Sequence, residues 1–276
     1  MINEQIEMAK QFIEEADAVL ITAGAGMGVD SGLPDFRGNE GFWNAYPVIK
    51  DLGIGFQGMA NPKWFAINPP LAWAFYGHRL NLYRDTMPHD GFKMLLDLVE
   101  KKNKNYFIFT SNVDGQFQKA GFSQDKIVEV HGSIQHFQCS ENCKKEIWDA
   151  DENAIDIDID KFEALDIPQC KNCGDIARPN ILMFGDWGWN GNRTSKQEYR
   201  FNIWSKSIRA NNKKLAIIEI GAGTAIPTIR QQGEHMAKRF SNYKLIRINP
   251  RDFKISKKLG FSIPFGGLEG IKKVLL

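Results

Sequence analysis

A glycine-rich loop is the first segment whose residue types could do chemistry. Gly24-Ala25-Gly26 directly follows the apolar run 18–22, and small residues there let backbone N–H groups approach a pyrophosphate at a helix start. A tight turn is the alternative, because the spacing departs from the usual dinucleotide pattern G-x-G-x-x-G. The loop continues as SGLPDFRG, in which Pro34 stiffens the chain before Asp35, Phe36 and Arg37. A hydride-transfer enzyme has no need of that charged and aromatic group.

Polar residues at the ends of two apolar runs form the second group. Asn112 and Asp114 follow YFIFT (106–110), and His131 ends IVEVH (127–131). An imidazole with a pKa near neutrality suits a general base, although a lone histidine at a strand end is more often a packing residue. Asn and Asp also favour ordinary turns, so these residues alone do not distinguish a catalytic site from a loop.

Four cysteines form the third group, spaced C-x₃-C, then 26 residues, then C-x₂-C. Two close pairs of thiolates suit a tetrahedral Zn²⁺ without an open position, which indicates a structural rather than a catalytic metal. Reduced surface thiols are the alternative. The cysteines predicted to bind zinc are Cys139, Cys143, Cys170 and Cys173.

The elements that must position these groups alternate along the chain. Residues 4–16 repeat apolar positions at helical spacing, and short apolar runs at 18–22, 106–110, 127–131, 215–221 and 244–249 predict strands. Helical patterns, such as 92–100 and 228–240, lie between them. Nearly all-apolar strands alternating with helices predict an α/β fold, a Rossmann-like doubly wound parallel sheet. In such sheets a ligand lies beyond the carboxyl ends of the strands, where the polar loops are expected.

Two stretches interrupt the alternation and predict a smaller domain. Residues 39–90 are rich in aromatics, Gly and Pro, which we interpret as a helical insertion. Residues 133–180 hold all four cysteines and an acidic segment, which indicates a zinc-binding module. The expected division is therefore a dinucleotide-binding domain of residues 1–38, 91–132 and 181–276, with the insertion and the module forming the smaller part.

Composition excludes several classes of function. The 276 residues carry a net charge of +2 without a separate basic block, so nothing indicates a nucleic-acid partner. No run reaches the 18 apolar residues of a membrane span, and the acidic N-terminus does not resemble a signal peptide. We expect a cytoplasmic protein with no membrane partner, and the sequence does not indicate its oligomeric state.

Taken in order, the motifs resemble those of the sirtuin family. The loop matches G-A-G-x-S-x-x-S-G-I-P-D-F-R at about eleven positions, and the resemblance covers about residues 18–270. The further matching segments are TSNVDGQFQKAG (110–121), HGS (131–133), the four cysteines, RPNILMFGD (178–186), GAGTAIP (221–227) and IN (248–249).

This resemblance implies an enzyme that cleaves NAD, its cosubstrate, and transfers an acyl group from a protein or peptide lysine to ADP-ribose. It assigns His131 as the general base, Asn112 to the ribose and the reactive water, and Asp114 to the nicotinamide amide. It also implies that the NAD-binding residues are Gly24, Ala25, Gly26, Asp35, Phe36, Arg37, Ser111, Asn112, Asp114, His131, Gly221, Gly223, Thr224 and Asn249.

For the acyl-lysine, the resemblance implies a channel lined by Ile181, Met183 and Phe184. Tyr76 and Arg79 match the Y-x-x-R pair of sirtuins that accept succinyl- or malonyl-lysine, and a guanidinium beside a phenol suits a carboxylate. An ordinary helix whose arginine extends to solvent is the alternative. Acetyl-lysine and acidic acyl-lysines therefore both stand as expected substrates.

Several departures from the family pattern leave other functions open. Gly28 replaces the loop serine, Asp30 brings a charge expected near the diphosphate, and Asp186 replaces a glutamate. The alternatives are a protein ADP-ribosyltransferase or NAD hydrolase, which share the first step, and a non-catalytic NAD sensor. Retention of His131 favours deacylation over ADP-ribosyl transfer, and retention of Asn112, Asp114 and His131 together argues against the sensor.

Overall fold

The computed structural model describes residues 2–34, 38–151 and 153–276 of the chain, and the side chains of 38–40 lie outside that description. The helices in this part are α1 (Ile2–Glu15), α2 (Gly38–Ala45), α3 (Pro47–Asp51), α4 (Phe56–Met59), α5 (Trp64–Ile67), α6 (Pro69–Asp85), α7 (Asp90–Lys101), α8 (Gln116–Lys119), α9 (Asn192–Ala210), α10 (Thr228–Arg239) and α11 (Gly267–Leu275). The strands are β1 (Ala18–Ala23), β2 (Tyr106–Thr110), β3 (Ile127–Glu129), β4 (Gly132–Cys139), β5 (Ile147–Asp149), β6 (Ile157–Asp158), β7 (Glu163–Ala164), β8 (Ala177–Ile181), β9 (Leu215–Ile220), β10 (Tyr243–Ile248) and β11 (Gly260–Ile263).

A six-stranded parallel sheet is the centre of the described chain, in the order β11-β10-β9-β1-β2-β3. The chain builds the sheet outward from β1 to β3 on one side, then returns to build β9 to β11 on the other. The order therefore reverses between β1 and β9, which pair along their whole length. That reversal is the place where doubly wound sheets bind dinucleotides.

Helices cover both faces of this sheet, which explains why its strands are almost wholly apolar. In β1, Val19 and Ile21 pack into one core with α1, α7 and α11, while Ala18 and Leu20 pack into another with α9 and α10. Alternate side chains of a strand point to opposite faces, so every residue of a doubly covered strand is buried. The α/β prediction is confirmed.

A second body of structure has its own core. Helices α2 to α6 and the antiparallel sheet β5-β4-β8 share one cluster of buried apolar side chains, in which Trp73, Phe75 and Phe137 are among the largest. Trp73 Nε1 donates to the backbone oxygen of Ala177 at 2.9 Å, so the helical insertion and the cysteine-bearing strands are joined by a buried bond. The predicted smaller domain, made of a helical insertion and a cysteine module, is confirmed as part of the fold.

The predicted strands match the structure closely, with one difference near His131. Strand β3 ends at Glu129, and His131 lies in the turn between β3 and β4 rather than at a strand end. Gly132 begins β4 with φ +77°, and a side chain there would meet the backbone oxygen of Asn180 at 2.0 Å. The turn that carries His131 is therefore fixed by close backbone packing against β8.

None of the helices in the described part of the chain is both long and apolar enough to span a membrane.

Candidate active site

A cavity of about 1000 Å³ opens at the carboxyl ends of β1, β2 and β9, where the strand order reverses. One wall consists of the loops that follow these strands, and the other consists of α6, β8 and the segment around α4. Its volume lies at the upper end of the range of about 300–1,000 Å³ that cofactor and ligand sites occupy.

Two glycines bring the loops after β1 and β9 into direct backbone contact. A Cβ on Gly24 would lie 2.9 Å from the Gly221 backbone oxygen, and Gly26 N donates to that oxygen at 3.1 Å. Gly221 has φ +64°, and a Cβ there would lie 2.3 Å from the Gly26 carbonyl carbon. Positions 24 and 221 require glycine because the backbones of the two loops touch there. This requirement is separate from the need to let a phosphate approach the backbone.

A chain of three hydrogen bonds holds Asn112 at the end of β2, and one of them joins its side chain to the glycine loop. Its Nδ2 donates to the Gly24 backbone oxygen at 3.1 Å, and its backbone N–H donates to Thr110 Oγ1 at 3.0 Å. The Thr110 hydroxyl in turn donates to the Ala23 backbone oxygen at 3.0 Å. The carboxamide is therefore held at the cavity wall, with its oxygen available for a ligand hydroxyl or water.

Asp114 lines the same cavity two residues further along. Its Oδ1 accepts from the Gln116 backbone N–H at 2.9 Å, which orients the carboxyl group. Burial raises the pKa of Asp114 to about 6, and the hydrogen bond from Gln116 only partly opposes this. Such a carboxylate binds an amide N–H strongly, because little water competes for it.

His131 stands where the cofactor wall and the opposite wall meet. Burial lowers the pKa of His131 from its usual value, and a hydrogen bond with the Ser111 backbone acts in the opposite direction. The Leu182 backbone N–H donates to the His131 oxygen at 2.9 Å, which joins the histidine turn to the end of β8. A neutral imidazole at this junction has the protonation state that a general base needs.

The opposite wall contains a buried cluster of one arginine and tyrosines on α6. Arg79 Nε and Nη2 both donate to the Tyr83 hydroxyl, at 3.1 and 2.9 Å, and the guanidinium lies within 5.8 Å of the centroids of the Phe75, Tyr76 and Tyr83 rings. Tyr76 is 1% exposed, and its hydroxyl has no hydrogen-bond partner among the described residues. Tyr76, Arg79 and Tyr83 all line the cavity.

Strand β8 and the segment after it complete this wall. Ile181, Met183 and Phe184 line the cavity, and Phe184 packs edge-on against Phe56 with 6.1 Å between ring centroids. Arg178 holds the segment through a bidentate ion pair with Asp186, at 2.8 and 2.9 Å, and both side chains are buried. The aspartate that replaces the family glutamate is thus a well-paired buried group.

Most of the predicted site residues that the structure describes come together in this one cavity. Gly24, Ala25, Ser111, Asn112, Asp114, His131, Gly221, Gly223 and Thr224 line it on the cofactor side, and Tyr76, Arg79, Ile181, Met183 and Phe184 line it on the other. Asp35, Phe36 and Arg37 lie outside the described residues.

Gly26 and Asn249 do not line the cavity but stand directly behind its wall. Asn249 is fully buried, and its Nδ2 donates to the Ala222 oxygen at 2.9 Å. Its Oδ1 accepts from the backbone N–H groups of Arg251 and Asp252, at 2.9 and 2.8 Å. Asn249 therefore braces the loops after β9 and β10, and a direct cofactor contact for it stays a prediction.

Asp30, expected near a diphosphate, bonds instead to the start of α11, and its nearness to a diphosphate stays a prediction. Asp30 Oδ2 accepts from the Leu268 backbone N–H at 2.8 Å, at the first turn of α11, and Asp30 does not line the cavity. A carboxylate at the start of a helix is favoured by the helix dipole and satisfies a free N–H group.

Several wall residues were not predicted from the sequence, among them Leu33, Phe56, Gln57, Tyr83, Ile226 and Arg251. Tyr83 alone carried a usable signal, because it follows Arg79 by four residues and therefore lies beside it on a helix. The others belong to loops or to the four-residue helix α4, which are too short or irregular for any periodicity to reveal.

The four cysteines form a compact cluster beside β4. Their sulfur atoms all lie within 4.8 Å of one another, with Cys139 to Cys173 at 3.7 Å and Cys143 to Cys170 at 3.6 Å. Four sulfurs at about 2.3 Å from one tetrahedral Zn²⁺ would be about 3.8 Å apart, so the cluster fits this metal. No other group of metal-binding side chains stands out among the described residues.

Comparison with known proteins gives one consistent result. A family model described as the Sir2 family matches residues 24–199. The "NAD-dependent protein deacylase" of Aquifex aeolicus is 27% identical, and the match covers 95% of both chains. The protein of the same name from Thermus thermophilus is 26% identical over 99% of this chain and 94% of its own.

The fold is likewise similar to solved structures. The crystal structure of a Sir2 homolog in complex with NAD has a TM-score of 0.74 and 22% identity, and covers 98% of this chain and 92% of its own. A structure of Sir2 bound to an acetylated peptide has a TM-score of 0.68 and 18% identity, with 98% and 97% of the two chains covered.

Proposed function

The chain belongs to the Sir2 family, and from this premise we propose that it is an NAD-dependent protein-lysine deacylase. It consumes NAD as cosubstrate and releases nicotinamide, the freed lysine and O-acyl-ADP-ribose. The observation that carries this proposal is that one cavity joins a glycine-lined backbone wall to an apolar channel, with His131 at the junction.

The cofactor wall supplies the groups that such a reaction needs for NAD. The loops at Gly24 and Gly221 expose backbone to the cavity, which suits the diphosphate. In this proposal Asp114 accepts a hydrogen bond from the nicotinamide amide, and the Asn112 carboxamide binds the ribose. Holding nicotinamide in a largely water-free site favours cleavage of its bond to C1′.

His131 is the proposed general base. The lysine acyl oxygen attacks ribose C1′ as nicotinamide leaves, and His131 then takes a proton from a ribose hydroxyl, which attacks the acyl carbon. Departure of the lysine amine and addition of one water molecule to that carbon leave the acyl group as an ester on ADP-ribose. Burial keeps the pKa of His131 below its usual value, so the imidazole is neutral and able to accept this proton at physiological pH.

The experiment incubates the protein with NAD and with peptides that carry acetyl-, succinyl- or unmodified lysine, and identifies the products by mass spectrometry. We expect nicotinamide release only with the acylated peptides, together with O-acyl-ADP-ribose. His131→Ala should lower turnover by about 10²–10⁴-fold and leave NAD affinity within a few-fold. His235→Ala, at an exposed position of α10, is the matched control.

Other results identify the alternatives. Release of nicotinamide without acyl-lysine, with ADP-ribose added to a protein or to water, would replace deacylation by transfer or hydrolysis. Binding of NAD without any nicotinamide release would indicate a sensor. Full turnover by His131→Ala would overturn the role of this histidine.

For the acyl group, we propose that the cavity prefers a short acidic acyl such as succinyl or malonyl. The support is the buried Tyr76 hydroxyl, a donor with no partner among the described residues, on a ring whose centroid lies 5.8 Å from the Arg79 guanidinium carbon. A carboxylate on the acyl tail would accept from both groups, and its desolvation would be offset by the arginine charge.

Two variants test this preference against a control. Tyr76→Phe should lower kcat/KM for succinyl-lysine about tenfold, and Arg79→Met about a hundredfold, while acetyl-lysine changes little. Tyr106→Phe, which removes a hydroxyl from a different core outside the cavity, should leave the succinyl-to-acetyl ratio unchanged. Equal losses for both acyl groups would return Arg79 to a structural role on α6.

We further propose that Zn²⁺ bound by the four cysteines is structural, since they supply all four positions of a tetrahedral site. The domain limits and the cytoplasmic location stay predictions from the sequence.

A further inference from the structure

A second cavity, of about 530 Å³, lies close in sequence to the catalytic loops but shares no described residue with the first. Its wall includes Gly115, which follows Asp114, and Ser133, two residues after His131. Side chains from α6, α8, β4, β5 and α9 complete the wall, and most of them are polar. The deacylase reaction described above uses none of them.

Arg193, in the first turn of α9, is the central charged group of this cavity. Its Nη2 lies 2.5 Å from Oε2 of Glu129, a buried carboxylate that also accepts from the side-chain amides of Gln118 and Gln197. This network fixes the guanidinium. Its other terminal nitrogen, Nη1, is buried and has no hydrogen-bond partner among the described residues. A buried charged donor of this kind favours an acceptor supplied from outside the chain.

His136 supplies the complementary group. Its Nε2 lies 3.2 Å from Oδ1 of Asp149, and burial, followed by the charge of Arg193, lowers the pKa of His136. A neutral imidazole that donates from Nε2 to Asp149 presents Nδ1 as an acceptor. This Nδ1 is also buried without a partner in the described part of the chain. The residues of this wall thus offer one charged donor, Arg193 Nη1, and one neutral acceptor, His136 Nδ1, and neither has a hydrogen-bond partner among the described residues.

The remaining groups favour an anion with several oxygens. Arg84 of α6 adds a second positive charge, which is held in place because its Nε donates to Gln135 Oε1 at 3.3 Å and its Nη1 and Nη2 donate to the backbone oxygens of Asn153 and Asp151 at 2.9 and 2.6 Å. The side-chain amides of Gln124 and Gln135 and the Ser133 hydroxyl add further donors. Glu129 and Asp149 offset part of the positive charge, but Glu129 engages only Nη2, and the Asp149 side chain is 91% exposed.

We propose that this cavity binds a small phosphorylated molecule that also carries hydroxyl groups. Its phosphate would face Arg193 and Arg84, and one hydroxyl would donate to His136 Nδ1. A phosphate is favoured over a carboxylate because the donors converge from several elements, and tetrahedral oxygens accept from several directions. The volume exceeds that of a bare phosphate, which leaves room for a sugar.

The test is isothermal titration of the full-length protein with ribose 5-phosphate, ribose and inorganic phosphate. Arg193 lines this cavity and not the first, so its variant distinguishes binding here from binding at any phosphate site in the first cavity. We expect saturable one-to-one binding of ribose 5-phosphate, weaker binding of inorganic phosphate and none of ribose. Arg193→Gln should weaken ribose 5-phosphate at least tenfold, whereas Arg209→Gln, at the exposed end of the same helix, should not change it.

His136→Asn distinguishes the two halves of the ligand. It should weaken ribose 5-phosphate several-fold and leave inorganic phosphate unchanged. Because Arg193→Gln leaves Glu129 buried without its ion pair, the double variant Glu129→Gln/Arg193→Gln removes both charges together and keeps the protein folded, as circular dichroism would show. Absence of saturable binding, or wild-type affinity in the folded double variant, would overturn the proposal.

Discussion

At the scale of single residues, burial determines the pKa values of the proposed catalytic groups more than charged neighbours do. Asp114 and His131 lie in the same cavity, and burial shifts both toward the neutral form. For His131 this gives the form that accepts a proton. For Asp114 it makes the ionised form unfavourable in the folded protein, so the group needed for a ligand contact is one that destabilises the fold.

This conflict predicts that Asp114→Asn stabilises the protein while impairing turnover. The folded pKa of Asp114 is raised to about 6 from 3.8, so its favourable contribution is present at acid pH and is lost as pH rises through about 6. The loss approaches about 3 kcal/mol above pH 7, at about 1.4 kcal/mol per pKa unit. Asn retains an oxygen for the Gln116 N–H without the charge.

Thermal unfolding at two pH values measures the effect. At pH 8 the variant should melt about 4 °C or more above the parent, and near pH 4.5, between the unfolded and folded pKa values, the difference should fall to about a third of that at pH 8. The exposed substitution Asp166→Asn should show no such pH-dependent gain. An equal difference at both pH values would mean that the carboxyl charge is not responsible.

At the scale of elements, the two strand-to-loop junctions at β1 and β9 determine the cofactor wall. Gly24 and Gly221 allow their loops to touch, and Asn112 and Asn249 bond these loops to the strands beside them. A change at one junction therefore displaces the backbone of the other, even where no ligand group is altered.

Gly221→Ala should be strongly destabilising, whereas Gly223→Ala should be nearly neutral. The first combines φ +64° with a Cβ placed 2.3 Å from Gly26, and the second meets nothing within 4 Å. We expect a loss of about 3 kcal/mol or more for Gly221→Ala, from left-handed strain plus displacement of the neighbouring loop. Urea unfolding measures both variants, and equal free energies of unfolding would contradict the close contact.

Much of this element scale could be predicted from the sequence. The strands at 18–22, 106–110 and 215–221 were found because buried parallel strands are continuously apolar, and such runs do not depend on distant residues. The sequence did not predict the four-residue strand β11 or the backbone contact between Gly24 and Gly221, because both follow from tertiary packing. The bond between Asp30 and α11 has the same origin: nothing local shows that α11 begins beside this residue.

At the scale of the whole molecule, strand β4 connects the cysteine cluster to the active site. It begins one residue after His131 and ends at Cys139. Trp73 and Phe137 of the second core pack on each other, with 5.1 Å between ring centroids, and Trp73 bonds to the start of β8. Order in the cysteine module is thus linked to the position of His131 through one strand.

Removal of zinc should therefore inactivate the enzyme although no step uses the metal. We expect 1,10-phenanthroline to lower turnover at least tenfold and to change tryptophan fluorescence as the second core loosens. Much of the far-ultraviolet circular dichroism should persist, because the parallel sheet has separate cores. Re-added Zn²⁺ should restore activity; a fully active protein shown by mass spectrometry to lack metal would refute this link.

The division of the cavity between separate cores has a consequence for how this enzyme can diverge. The wall that would hold the cofactor is backbone from the parallel sheet, while Tyr76, Met183 and their neighbours belong to the second core. Natural variation or laboratory evolution can alter the second core, and with it the accepted acyl group, without disturbing the glycine contacts. A chimera in which only the second core comes from a relative should therefore acquire the acyl selectivity of that relative and keep the NAD-binding loops of this chain.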